Sequence, residues 1–216
     1  MMEYTALIVA AGSGSRMGLG YNKLLFTLKN GKTILEETIS KFEADERCAQ
    51  IIVVTSEDDL DTFKKLLEGK NITFTLGGKT RQDSVYNGLK LVCSEYVFIH
   101  DGARPWVSQD CLDRLALEVK KKKACILMVP VKDTIKVVKD GKIVSTPTRS
   151  TLYQAQTPQA FLTSSIVAAY WKAYEQNFQA SDDAQLMEVC GDCEIYMVEG
   201  CYGNVKVTTK EDIIGK

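Results

Sequence analysis

Over its first 131 positions the chain alternates two kinds of apolar pattern. Short unbroken runs, five to seven residues long and rich in Ile and Val, read as buried strands at Thr5–Val9, Gln50–Thr55, Asn71–Leu76, Tyr96–His100 and Cys125–Val131. Between them, apolar residues recur at helical spacing. Thr33 and Glu36 form a capping box that opens a helix to about Ala44, and Ser56 opens one carrying Leu60, Phe63 and Leu67. A third helix runs from about Arg81 to Val92 with Val85, Leu89 and Val92 inward, and a fourth follows Pro105 and ends at Lys123. The regular β–α alternation predicts an α/β fold, Rossmann-like, with a mostly parallel sheet covered by helices on both faces.

The alternation breaks at Lys132. Two polar, β-rich runs, Thr134–Val138 and Lys142–Ser145, flank Asp140-Gly141, a strong hairpin signal. They read as an arm, residues 132–156, projecting from a single domain that spans 1–216. A free hairpin is marginal, so the arm is expected to dock on another surface, most simply a second copy in a symmetric homodimer. Beyond it come Gln156-Thr-Pro-Gln159, a helix from Thr163 to Tyr174, another opening at Ser181–Ala184, a strand at Ile195–Glu199, and Val205-Lys-Val-Thr208.

Composition narrows the function. A net charge of −1 gives no broad basic surface for nucleic acid or anionic lipid. No apolar run reaches the ~20 residues of a membrane span, and no signal segment opens the sequence. Seven scattered cysteines, one Cys-x-x-Cys and one His fit a reduced, cytoplasmic chain better than a zinc protein.

Candidate chemistry gathers after the first strand, in Ala10-Ala-Gly-Ser-Gly-Ser-Arg-Met-Gly-Leu-Gly-Tyr-Asn-Lys23. Gly12 and Gly14 let backbone N–H groups approach an anion, and Arg16 and Lys23 add two fixed charges, a combination suited to a polyphosphate. The dinucleotide fingerprint fails because Met17 stands where its third glycine belongs. Two Gly-Lys-Thr triplets fail as phosphate loops, with Phe26 and Thr73 at the required glycine. Strand ends of a parallel sheet share an edge, which brings this loop together with Gly78–Ser84, Asp101–Arg104 and Lys206. Gly77-Gly78, followed by Arg81 and Ser84, opens a helix whose free N–H groups can hold a base or a phosphate. Asp101 is a candidate for Mg²⁺ or a substrate hydroxyl. His100 points to the opposite face and reads as structural, and Asp182-Asp183 reads as a first-turn acidic pair. No Ser/His/Asp or Cys/His set is assembled.

Taken in order, A-A-G-S-G-S-R-M with Lys23, G-G-x-x-R-x-x-S at 77–84, H-D-G-A-R-P at 100–105, V-K-D-T at 131–134, Q-T-P-Q-A-F at 156–161 and N-x-K-x-T at 204–208 resemble the 2-C-methyl-D-erythritol 4-phosphate cytidylyltransferase family of isoprenoid biosynthesis. The resemblance implies attack of a sugar-alcohol phosphate on the α-phosphorus of CTP, with Mg²⁺ as cofactor. It implies charge stabilisation by Arg16 and Lys23, and a cytidine site formed by Ala10, Ala11, Gly12, Gly78 and Ser84. Asp101, Arg104, Thr134, Ser181 and Lys206 would surround the substrate, and Arg149 would reach it from the other subunit's arm. Ribitol-5-phosphate cytidylyltransferase shares the first loop and Q-T-P-Q and remains an alternative. A non-catalytic CTP sensor and a dehydrogenase are the readings from other classes.

Overall fold

The computed structural model describes residues 2–12 and 20–213. Seven strands form one sheet: β1 (Tyr4–Val9), β2 (Cys48–Thr55), β3 (Ile72–Leu76), β4 (Tyr96–Asp101), β5 (Ala124–Pro130), β8 (Tyr153–Leu162) and β9 (Tyr196–Glu199), in the order β3-β2-β1-β4-β8-β5-β9. Every neighbouring pair is parallel except those made by β8, which runs antiparallel to both β4 and β5. The helices are α1 (Ile34–Glu43), α2 (Glu57–Leu66), α3 (Arg81–Leu89), α4 (Gln109–Lys122), α5 (Thr163–Glu175) and α6 (Asp183–Cys190).

Strand alternation sends successive side chains to two separate cores. Tyr4, Ala6 and Ile8 of β1, with Phe98 of β4, meet Ile39 and Phe42 of α1, Phe63 of α2 and Leu115 of α4. Leu7, Val97 and Ile99 turn the other way, onto Val85 of α3, Tyr170 of α5 and Met187 of α6. Helices therefore cover both faces, as the alternation of patterns predicts.

The capping box at Thr33 forms: its N–H donates to Glu36 Oε2 (2.8 Å) and its Oγ1 accepts from the Glu36 N–H (3.2 Å). Thr80 and Asp83 make a second box at the start of α3. That helix stops at Leu89, short of the predicted Val92, though Val92 still packs on the same core.

The sequence pattern misses β8. Its residues, Tyr-Gln-Ala-Gln-Thr-Pro-Gln-Ala-Phe-Leu, include three glutamines and a proline, which argues against a central strand. The sheet admits Pro158 through an irregularity. Between the pairs Ile126↔Gln159 and Met128↔Ala155, β5 advances two residues while β8 advances four, so the proline lies in a stretch of β8 that is out of register with its neighbours. Gln159 is nevertheless buried, because its amide donates to Asp182 Oδ2 (2.8 Å) and its carbonyl oxygen accepts from the Ala184 N–H (2.9 Å).

The hairpin of β6 (Val137–Lys139) and β7 (Lys142–Ser145) forms a sheet of its own. Its first strand begins three residues later than expected. Asp140 and Gly141 have φ of 50° and 74°, the positive values that a tight two-residue hairpin turn requires.

Candidate active site

β1 and β4 end side by side, and the cleft opens where their chains leave the sheet. The Ala10 N–H donates to the Val54 carbonyl (2.8 Å), carrying the chain one step beyond β1 before the glycine-rich loop. Next to it, all four carbonyls of residues 101–104 are taken. Asp101 O accepts from the Arg104 N–H (3.0 Å), Gly102 O from the Thr38 hydroxyl (2.8 Å), Ala103 O from the Val207 N–H (2.8 Å), and Arg104 O bonds His100 Nε2 (3.0 Å). A loop whose polar groups are satisfied on every side holds its side chains in fixed directions.

His100 belongs to this scaffold, as its strand position predicts. Its ring is fully buried against the edge of Phe42, and the Thr157 hydroxyl lies 3.1 Å from Nδ1. A carbonyl can only accept, so Nε2 carries the proton and Nδ1 accepts from Thr157, whose Oγ1 in turn accepts from the Asp101 N–H (3.0 Å). Burial drives the His100 pKa down to about 4, so the neutral ring is the folded form near neutral pH.

Asp101 is the centre of charge. Lys206 Nζ lies 2.9 Å from Oδ2, Arg104 Nε 3.4 Å from the same oxygen, and Arg81 Nε 3.9 Å from Oδ1. Burial alone would raise this carboxyl, but Lys206, Arg81 and Arg104 outweigh it and hold it well below the usual carboxylate range. Arg104 also donates to the Asn204 carbonyl (2.8 Å), and Asn204 donates to the Thr157 carbonyl (2.8 Å). Arg81 is anchored from behind: Asp183, fully buried on α6, accepts from it at 2.7 Å and from the Tyr170 hydroxyl at 2.6 Å. Burial works against the Arg81 charge, yet Asp183 and Asp101 together raise its pKa above the usual arginine value.

Around this centre lies a cleft of about 510 Å³, within the ordinary range for small-ligand sites. Ala10, Ala11, Gly12, Lys23, Gly78, Arg81, Ser84, Asp101 and Lys206 line it, so residues from opposite ends of the sequence share one cavity. Lys23 reaches across to donate to the Val207 carbonyl (2.7 Å). Gly78 has to be glycine, because a Cβ there would run into the Asp83 side chain. Its N–H donates to Ser84 Oγ (3.1 Å), and Ser84 donates to the Thr80 carbonyl (2.9 Å). These two therefore line the cleft with groups already bonded to each other.

Other expected residues fall elsewhere. Arg16 and Gly14 lie outside the described residues. Thr134 and Arg149 are exposed on the arm and absent from the lining of their own chain's cleft; Arg149 Nη1 donates to the Lys132 carbonyl (3.1 Å). Ser181 is exposed and outside the lining, its N–H given to Gln185 Oε1 (2.6 Å). Of the acidic pair beside it, Asp182 is the N-cap of α6, as a first-turn reading expects, whereas Asp183 is the buried partner of Arg81. Three cations already converge on the Asp101 carboxylate, and, among the described residues, no three metal-ligating side chains group together.

The sequence alone assigns no site role to Arg81, Thr157 or Asp183, although Arg81 lies in G-G-x-x-R-x-x-S and Thr157 in Q-T-P-Q-A-F. What identifies them is proximity in the fold: Arg81 and Asp183 are 102 residues apart, Thr157 and Asp101 56 apart.

Comparison with known proteins places the chain in a family. Residues 4–215 match the family described as 2-C-methyl-D-erythritol 4-phosphate cytidylyltransferase. Proteins of that name from Bacillus cytotoxicus and Clostridioides difficile are 44% and 43% identical to the chain, over 98% and 97% of it and 95% and 90% of their own lengths. The crystal structure of 4-diphosphocytidyl-2C-methyl-D-erythritol synthase from Anaerococcus prevotii superposes with a TM-score of 0.86 at 36% identity, covering 99% of this chain and 95% of that one. The cytidylyltransferase from Thermus thermophilus gives 0.83 at 30% identity, with coverage of 99% and 96%. The chain belongs to the 2-C-methyl-D-erythritol 4-phosphate cytidylyltransferase family and is a nucleotidyltransferase.

Proposed function

We propose a division of labour among these residues for the cytidylyl transfer of the family. The chain joins CTP to 2-C-methyl-D-erythritol 4-phosphate, giving 4-diphosphocytidyl-2-C-methyl-D-erythritol and pyrophosphate for isoprenoid precursor synthesis. An oxygen of the sugar-alcohol phosphate attacks the α-phosphorus of CTP, and the bond to the bridging oxygen breaks, its electron pair leaving with pyrophosphate. A phosphate monoester already carries about −1.5 to −2 charge, so the nucleophile needs no general base. The obstacle is its approach to an anionic triphosphate, and catalysis then lies in positioning and charge stabilisation.

In this reading Ala10, Ala11, Gly12, Gly78 and Ser84 hold the cytidine, and Arg16 and Lys23 stabilise charge growing at the α-phosphate. Asp101, Arg104 and Lys206 hold the sugar-alcohol phosphate, with Lys206 balancing the incoming charge. Arg81, anchored by Asp183, keeps the Asp101 carboxylate turned into the cleft. When bound, Mg²⁺ would supply charge screening to the triphosphate, with the Asp101 carboxylate the protein group that could reach it. The observation that supports this reading most is the sharing of one cleft by Gly12, Lys23, Gly78, Ser84, Asp101 and Lys206.

The arm completes the site in trans. Residues 132–156 of a single nucleotidyltransferase domain lie across a second copy in a homodimer, and the partner subunit's Thr134 and Arg149 face the substrate. Five exposed aliphatic residues, Ile135, Val137, Val138, Ile143 and Val144, support the docking. Among the described residues no helix is long and apolar enough to cross a membrane, and we assign the enzyme to the cytoplasm.

Pyrophosphate release tests the assignment. With CTP, methylerythritol phosphate should be turned over and ribitol 5-phosphate should not; equal rates would defeat the substrate assignment.

A further inference from the structure

The glycine-rich loop that begins at Gly12 returns at Asn22, and one side chain grips both ends. We infer that Asn22, anchored by Asp59, is a positioning residue that fixes the neck of this loop and thereby the aim of Lys23; the inference rests on the role given to Lys23 above. Asn22 Nδ2 donates to the Gly12 carbonyl (3.3 Å) and to Asp59 Oδ2 (2.7 Å). Its Oδ1 accepts from the Leu24 N–H (3.0 Å), capping the single helical turn Lys23–Leu25 that carries the catalytic lysine. Both ends of the amide are therefore in use. The donor end closes the loop, and the acceptor end orients the turn bearing Lys23.

Asn22 is only 6% exposed, and what holds it is rigid. Asp59 stands in the first turn of α2, where the Ser56 hydroxyl donates to the same Oδ2 (2.6 Å), and α2 is fastened to the core by the fully buried Phe63. Charge stabilisation at a transition state demands that the cation be held to within a fraction of an ångström. Aspartate at position 22 would lose the donor and face both Asp59 and the Gly12 carbonyl with negative charge. The site thus calls for an amide, and asparagine has the length to reach all three partners.

The test is steady-state kinetics with CTP and methylerythritol phosphate on Asn22→Ala, Asn22→Asp, Asp59→Ala and Ser56→Ala. Both Asn22 variants and Asp59→Ala should lose roughly 10- to 100-fold in kcat, with the KM for methylerythritol phosphate unchanged. Ser56→Ala removes the cap of α2 and one donor to Asp59 but leaves the Asn22–Asp59 contact, so its Tm should fall with a smaller loss of kcat than in Asp59→Ala. Asp59→Asn keeps an oxygen that accepts from Asn22 and should hold most of the kcat that Asp59→Ala loses, which keeps the test decisive if Asn22→Ala fails to fold. In a Lys23→Ala background, Asn22→Ala should cost nothing more. Unchanged kcat in folded Asn22 variants, or equal losses in Asp59→Asn and Asp59→Ala, overturns the clamp. Should Lys23→Ala keep its own kcat, the role of Lys23 falls, and the clamp is judged on the Asn22 variants alone.

Discussion

The cleft and the arm are built on opposite principles. At the centre of the cleft, buried polar groups are paired within their own chain: Asp101 has three cations, Arg81 has Asp183, and the neutral His100 has Thr157 and the Arg104 carbonyl. In the arm, aliphatic side chains stand in solvent, with Ile143 66% and Val138 57% exposed. Leaving apolar surface exposed costs about 25 cal/mol for each Å² that could be buried, so a chain that closes one region so thoroughly and leaves the other open has a contact outstanding. The polar groups of the cleft are satisfied within one chain, whereas the apolar side chains of the arm are not covered by it.

The largest test of this contrast removes the metal. Excess EDTA should abolish turnover and added Mg²⁺ restore it, since hard-cation screening of clustered phosphates has no substitute in the chain. The same EDTA should leave the melting temperature of the nucleotide-free protein unchanged, because the described residues offer no metal cage. A drop in melting temperature would reveal a protein-borne site. Next comes the loop. Lys23→Ala and Arg16→Ala should each lower kcat by about 10²–10³ with a smaller effect on the KM for CTP, the usual consequence of losing one preorganised charge donor. A change confined to KM would make them binding residues only.

Mixing inactive variants carries the comparison to the arm. If the partner's Arg149 completes each site, inactive Arg149→Ala and inactive Lys23→Ala chains should complement one another. After full subunit exchange, half of the dimers are mixed and each carries one intact site, so about a quarter of the wild-type activity should return. No recovery despite exchange shown with labelled subunits, or a monomer by sedimentation, would confine the site to a single chain. Replacing Val138 and Ile143 together by Lys should dissociate the same dimer without altering the cleft.

These tests also follow what the sequence makes legible. Asp140-Gly141 is readable because the turn depends on two adjacent residues and their φ values. The Thr33 capping box and the strand-end placement of Gly78 and Asp101 are readable for the same reason, local chemistry plus one rule of sheet topology. Legibility fails where a tertiary contact overrides local preference. β8 is hidden because Pro158 and its glutamines look unlike a central strand until the irregular pairing and the Gln159–Asp182 bond are seen. Nothing local marks Asp183 as the buried partner of Arg81, because the two are far apart in the chain. Asn22 escapes notice because its partner Asp59 sits in another helix.

The smallest expected effect, and the cleanest, concerns the buried scaffold that the arm lacks. His100 is the sole histidine, so no other imidazole titrates. Burial lowers its pKa from 6.5 to about 4 in the folded chain, opposed by its bond to the Arg104 carbonyl and by Asp101. The facing groups, Asp101 and the Arg104 guanidinium, keep their charges across that interval. Between the two values the unfolded chain takes up a proton that the folded chain refuses, so stability must fall as pH is lowered from about 6.5 towards 4, and this contribution levels off below 4. The whole interval is worth at most about 3 kcal/mol, and the part between pH 6.5 and 5, above most carboxylate titrations, about 2 kcal/mol. Urea midpoints measured at pH 7 and pH 5 should therefore separate in the parent chain. In His100→Gln, whose amide can replace the ring's donor but cannot titrate, the two midpoints should draw together, with the remaining difference set by carboxylates alone. An equal drop in both proteins would mean that the ring already accepts a proton in the folded state, and that the Asp101–Thr157–His100–Arg104 chain of hydrogen bonds does not hold it neutral.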